Sequence, residues 1–208
     1  MPRTVMDHSR IRVVEKAEEP RAVSVQLMAF SADPIMRWSW PEPHDYVRHF
    51  PTFVRGFGGR AFEHGAAHVA DDFLGGALWL PPGVGTDDEA LMKLFSETVA
   101  EPTRSEAFAI LEQVSAAHPA EPHWHLAFVG VDPRQQGKGI GAALLRYALA
   151  HIDEQGLHSY LESSNPANIS LYQRHGFEVI REIRVGGSPP VIPMVRVPRA
   201  PAGSHRSA

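Results

Sequence analysis

Six residues, Gln136-Gly137-Lys138-Gly139-Ile140-Gly141, set between an apolar run and an amphipathic one, constrain this chain more than any others. A helix start leaves its first backbone N–H groups unpaired and carries about half a positive charge. Glycines at that point let the chain turn tightly, take positive φ and approach a ligand with no Cβ in the way. The combination is an anion site suited to a pyrophosphate, with Lys138 and Arg134 able to add charge. A nucleoside-triphosphate loop needs Ser or Thr after its lysine, and here Lys138 precedes Gly139; the dinucleotide fingerprint G-x-G-x-x-G is also missed, since these glycines fall at every second position.

The flanking elements are readable. Trp124–Val131 is a near-continuous apolar strand, as expected where both faces are covered. Ile140–Glu154 is a helix with Leu144, Leu145, Ala148, Leu149 and Ile152 on one stripe, stopped at Gly156. Ser159–Ser163 reads as a strand, Ala167–His175 as a short helix closed by Gly176, and Phe177–Val185 and Val191–Val197 as strands. Upstream, Arg10 to Glu15 is a strand, Ala22–Phe30 a helix opened by Pro20, and Ala66–Asp71 with Leu74–Leu80 a hairpin turning at Asp71-Asp72. Thr86 and Ser105 are expected to cap two further helices, and His118–Pro122 is a loop. The stretch from Ala32 to Gly59 is aromatic and broken by prolines, a pattern that fits short helices forming either a pocket wall or core. This order of elements argues an α/β chain with a mixed sheet. One domain over 10–197 is expected, between a flexible N-terminus at 1–9 and a disordered tail at 198–208.

Composition narrows the function. The 208 residues suffice for one well-buried core, and a net charge of −4 supplies no field for a polyanion, so nucleic acid is not expected as a partner. The absence of cysteine removes disulfides, thiolate metal sites and cysteine nucleophiles. No apolar run approaches the ~18 residues of a membrane span and the first residues are dotted with charge, so a soluble, cytoplasmic protein is expected, with no membrane partner. A homodimer is left open.

Gln136-x-x-Gly139-x-Gly141 after a strand resembles the pyrophosphate loop of the GNAT superfamily of N-acetyltransferases. Leu161-Glu162-Ser163-Ser164, Asn168, Leu171-Tyr172 and His175-Gly176-Phe177 look like that family's next strand, helix and closing turn. Within it, Glu121-Pro122, Val129-Gly130-Val131 and Leu161-Glu162 are most similar to puromycin N-acetyltransferase and its relatives, although the middle of the chain is less so. The resemblance implies a sheet of about seven strands splayed open between the strands holding Val129 and Glu162. Acetyl-CoA would be the co-substrate, its pantetheine along Val129, Gly130 and Val131 and its pyrophosphate on Gln136, Gly137, Lys138, Gly139, Ile140, Gly141 and Ala142, with Asn168 also in contact.

Acetyl transfer from a thioester to an amine needs a neutral amine, a donor for the oxyanion and a proton for the leaving thiolate. Tyr172 is the candidate acid, since a phenol of pKa ~10 stays protonated at neutral pH, and it falls one helical turn after Asn168. His125 and Glu162 compete as the base, an imidazole of pKa ~6.5 being able to take an ammonium proton near neutrality. His123 and His125 share a strand face, which raises a metal site; no third ligand is spaced nearby and no H-E-x-x-H occurs, so no metal is expected. Most of the other histidines are read as surface residues, and Asp33, Glu42 and Asp45 as solvated loop carboxylates in preference to a lure for a cationic amine. The expected activity is transfer of acetyl to a primary amine of a small molecule by direct attack. The rivals are a non-catalytic acyl-CoA sensor or partner-binding protein on the same fold, and a protein lysine or N-terminal acetyltransferase.

Overall fold

A computed structural model describes residues 11–199; the expected flexible N-terminus and the tail from 200 onward lie outside the described residues. In chain order the elements are β1 (Ile11–Val13), α1 (Glu19–Ala29), α2 (Pro34–Ser39), α3 (Pro43–Gly58), α4 (Arg60–Glu63), β2 (Ala67–Ala70), β3 (Gly75–Leu80), α5 (Asp88–Thr98), α6 (Thr103–Ser115), β4 (His123–Val131), α7 (Ile140–Glu154), β5 (His158–Ser163), α8 (Ile169–Arg174), β6 (Glu178–Val179) and β7 (Ile192–Arg196). The strands form one seven-stranded sheet in the order β1-β2-β3-β4-β5-β7-β6. Only β4 and β5 run parallel; the other pairs are antiparallel. The mixed sheet expected from the sequence is therefore the one that forms, and the helix at Ile140–Glu154 has the expected bounds.

Helices cover both faces. A Cβ on Gly75 would strike Ile140 and Leu144 of α7, whereas one on its neighbour Gly76 would meet Gln26 of α1. Successive strand residues point to opposite faces, so α7 lies on one side and α1 on the other. Gln26 is fully buried and its Nε2 donates to the Gly76 carbonyl at 3.0 Å. Gly130 lets α1 come this close, because a Cβ there would lie 2.7 Å from the Cβ of Ala29.

Three local expectations change. The aromatic stretch is not cut into short helices by every proline: α3 runs 16 residues with Pro51 inside it. An interior proline costs about 3 kcal/mol, but Tyr46, Phe50 and Phe53 around it are all buried, and each ring buried returns roughly 1.5–3 kcal/mol. Asp87 caps α5, accepting from the Ala90 N–H, and α6 starts after Pro102, where the preceding Glu101 carboxylate takes both the amide and the hydroxyl of Ser105; neither Thr86 nor Ser105 is the cap. The strand expected over Phe177–Val185 is paired only at Glu178–Val179, with one isolated bridge from Ile183 to Val191. Its next partner is Pro193, which accepts from the Ile180 N–H but has no N–H to return.

His68 of β2 is a half-buried histidine, edge-on to Tyr147 at 5.0 Å, with its Nδ1 unpartnered among the described residues. Burial, helped by His151, pushes its imidazole down to about 4 from the ordinary 6.5. A value depressed on folding gives stability that is complete above 6.5 and lost as pH falls through 4. The His68→Leu variant is expected to lose less stability than the parent over that interval in urea titrations; an identical pH dependence would show that His68 makes no such contribution.

Candidate active site

The parallel pair parts in mid-strand. β4 and β5 are in register from His123↔His158 to Leu126↔Leu161 and no further, so residues 127–131 have β3 on one edge and nothing of β5 on the other. A bulge helps to turn β4 here: Leu78 opposes Phe128 and Trp79 opposes Leu126, leaving Ala127 as the extra residue. The bulge also resets the alternation of faces, so that His125 and Phe128 both meet Phe57 of α3, with ring centroids at 5.6 and 5.8 Å.

A cavity of about 1080 Å³ opens at the gap. Its walls include Ala29, Phe30 and Asp33 from the α1 side, Val129, Gly130 and Val131 on the free edge of β4, the turn before α7, and Asn168 and Tyr172 around α8. One space thus joins the two faces of the sheet. All of Gln136, Gly137, Lys138, Gly139, Ile140, Gly141 and Ala142 line it, so every residue expected to hold the coenzyme borders the same cavity. Gly137 and Gly139 have φ of +75° and +89°, and a Cβ on either would meet no protein atom within 4 Å. They are glycines for their backbone angles and for whatever approaches them, not for close packing. The Gln136 side chain donates to the Val131 carbonyl at 3.2 Å, and Lys138 is held by Gln135 at 2.7 Å. Arg134 is not on the cavity; Arg146 and Arg174 are. These two cations were not anticipated, although Arg146 falls one turn after Ala142 on the same helix.

Tyr172 is buried and packs against Phe177, with no hydrogen-bond partner for its hydroxyl among the described residues. Burial, and to a lesser degree the charge of Asp33, raises its pKa above the ordinary phenol value, so the proton is held more firmly. Asp33 is a correction: it is buried, not a solvated loop carboxylate. Its Oδ1 accepts from the amides of Ile35 and Met36 at the start of α2, and its Oδ2 from the Ser164 hydroxyl at 2.5 Å. Glu42 and Asp45 are, respectively, exposed and partly exposed.

The two candidate bases touch. His125 Nε2 and Glu162 Oε2 are 2.8 Å apart, both side chains buried, on either side of the last β4–β5 pair. Neither lines the cavity; they stand behind the inner end of the gap. Sequence reasoning placed no ligand near His123 and His125, yet His118 folds in from the loop after α6. Its Nε2 is 3.3 Å from Glu162 Oε1, and its Nδ1 is 3.0 Å from His123 Nε2. Burial would by itself raise the Glu162 carboxyl; His125 and His118 overcome that and hold it well below the ordinary carboxylate range.

The seven-stranded mixed sheet, parted between β4 and β5 over a glycine-lined helix start, matches the fold of solved acetyltransferases. Residues 103–177 of the chain match the Acetyltransferase (GNAT) family. An uncharacterized N-acetyltransferase of Schizosaccharomyces pombe is 30% identical over 152 residues, covering 66% of this chain and 62% of its own length. A mycothiol acetyltransferase of Paenarthrobacter aurescens is 44% identical over 52 residues, 24% of this chain and 16% of its own. The chain therefore spans less than two thirds of the length of these relatives. A solved Corynebacterium glutamicum structure, described as histone acetyltransferase HPA2 and related acetyltransferase, has 25% identity and a TM-score of 0.63 over 92% of this chain and 97% of its own.

Proposed function

We propose that this protein transfers an acetyl group from acetyl-CoA to the primary amine of a small molecule, by direct attack through a tetrahedral intermediate. The observation that carries this reading is the single cavity threading the sheet, with a glycine cradle on one face and, behind its inner end, the His125–Glu162 pair on the other. A pyrophosphate fits the cradle because its two αL glycines leave open space where a Cβ would stand, at the positive end of α7.

The amine nitrogen attacks the thioester carbonyl, the C–N bond forms and the C–S bond breaks. The ammonium proton goes to the His125–Glu162 pair, through a water where the pair does not reach, and the departing sulfur takes a proton from the Tyr172 hydroxyl. No enzyme nucleophile is needed, since holding both reactants in line supplies much of the rate. Because the pair is buried and hydrogen-bonded, it acts as one unit rather than as two alternative bases. The aromatic rings of Phe57 and Tyr160 against His125 favour an acceptor with an apolar body beside its amine. Among the relatives' names, mycothiol acetyltransferase is consistent with a small-molecule acceptor.

The direct test supplies acetyl-CoA with a panel of small amines and follows thiol release; if no amine stimulates release from folded protein that binds the coenzyme, transfer is not its function. Gly139→Val is expected to weaken coenzyme A binding more than ~10-fold by calorimetry, through the φ of +89° and the obstructed cradle; unchanged affinity would place the pyrophosphate elsewhere. Tyr172→Phe should lower kcat about 10²-fold or more with coenzyme affinity retained, and full activity would remove it as the acid. Glu162→Gln, His125→Ala and the double variant should lose similar amounts of kcat, as members of one unit do; losses that multiply would mean that the two act separately.

A further inference from the structure

The hydrogen-bond chain running in from the surface fixes which atom of His118 faces Glu162. The Glu121 carbonyl can only accept, so His123 Nδ1 carries the hydrogen across their 2.8 Å contact. Nε2 of neutral His123 is then an acceptor, and His118 Nδ1 donates to it across 3.0 Å. That leaves a lone pair on Nε2 of neutral His118, the atom that stands 3.3 Å from Glu162 Oε1. Oε1 is a buried oxygen with no hydrogen-bond partner among the described residues. Two electron-rich atoms this close, with no hydrogen bond between them, call for a cation. His125 Nε2 is the third member, 2.8 Å from the other oxygen of the same carboxylate.

The three donors, one each from the loop after α6, β4 and β5, lie within 4.8 Å of one another. The 3.3 Å from His118 to Glu162 Oε1 matches the edge of about 3.3 Å that a tetrahedron with bonds of about 2.0–2.1 Å requires, and the 2.8 Å from His125 to Oε2 would have to open by about 0.5 Å. Nitrogen and carboxylate donors of this kind suit an ion of borderline softness, not calcium or magnesium. His118 is also held by an outer shell of the sort that orients metal-ligating imidazoles: His123 on its far nitrogen, Glu121 behind that, and the Tyr160 ring at 4.1 Å. The side chain of His118 is 30% exposed, which gives an ion a way in.

We propose that His118, His125 and Glu162 form a site for one divalent transition ion of the Zn2+ type, oriented by His123 and Glu121 and with a coordination position left open. His125 would bind through Nε2 with its hydrogen moved to Nδ1. If the pair is the base for acetyl transfer, a consequence that rests on the function proposed above, the occupied site is the silenced form of the enzyme.

The test titrates chelator-stripped full-length protein with Co2+ alone and follows visible absorption. One equivalent should raise the strong bands of a low-coordinate Co2+ site, and Zn2+ should abolish them. His118→Ala and Glu162→Gln, each shown folded by circular dichroism, should lose the bands. His123→Ala should weaken Co2+ binding about 10–100-fold, and His64→Ala, an exposed histidine elsewhere, should leave it unchanged. Absence of bands in folded parent protein, or bands of equal strength in His118→Ala, overturns the site. Should Glu162→Gln fail to fold, His118→Ala decides, its ring being the least buried of the three. The spectrum needs no turnover, so Co2+ binding without acetyl transfer keeps the site and loses the enzyme, and transfer by a chain indifferent to Co2+ does the reverse.

Discussion

The parting of β4 from β5 after Leu126↔Leu161 is the constraint on which the rest of this structure depends. Backbone groups on the free edge of residues 127–131 lose the partners that a parallel ladder would give them, and a buried backbone group without a partner costs of order 1–3 kcal/mol. Such an edge persists only if the two strands are held apart from outside. β5 is tied on its far side to β7 over five residue pairs, Ser159↔Arg196 to Ser163↔Ile192. β7 is in turn fixed to the end of α7, where Arg196, almost fully buried, grips Asp153 with two hydrogen bonds of 2.6 and 2.7 Å. The Arg199 amide reaches the same carboxylate at 2.9 Å. Together with the Ala127 bulge, these contacts make the gap part of the fold rather than a fluctuation of it.

Two buried carboxylates flank the gap and respond to it in opposite directions. Asp33 meets only neutral donors, two amides and the Ser164 hydroxyl, and its desolvation outweighs them, so its pKa rises. Glu162 also has a buried side chain but faces two imidazoles, which reverse the same desolvation. Burial alone therefore does not say which acid holds its proton; the charge of the neighbours does. A carboxylate that stays ionised inside the sheet keeps a demand for positive charge directly behind the open edge of β4. An ammonium proton or a metal ion can each meet that demand, and they compete for the same atoms.

How much of this was legible in the sequence depends on the distance over which each feature is encoded. The cradle and α7 are local: glycines, a preceding apolar strand and a leucine-rich stripe all lie between Trp124 and Ile152, and they appear where expected. The short β6 was also within reach, since Pro193 announces a missing N–H, but only once the β6–β7 register is known. His118 was not legible. It sits in an irregular loop, and what brings it to Glu162, 44 positions away, is the parallel pairing of β4 with β5 and the short loop that leads from α6 into β4. Asp33 was misread for the opposite reason, because an Asp-Pro pair marks a helix start without saying whether that start is exposed.

The helix α3 shows why a choice between core and pocket wall was the wrong one to put to the aromatic stretch. Tyr46, Phe50, Phe53 and Phe57 recur at helical spacing and share one side of it. Tyr46, Phe50 and Phe53 pack into the core, Phe50 and Phe53 each meeting Phe128 edge-on at 6.2 and 5.9 Å. Phe57, at the last turn, carries the same row on to His125. Breaking α3 at Pro51 would leave Tyr46 and Phe50 in place but swing Phe53 and Phe57 away, so the continuity of the helix across its proline is what joins the core to the site. The apolar wall of the buried His125–Glu162 pair is thus the far end of the hydrophobic core, and the stability of the one secures the dryness of the other.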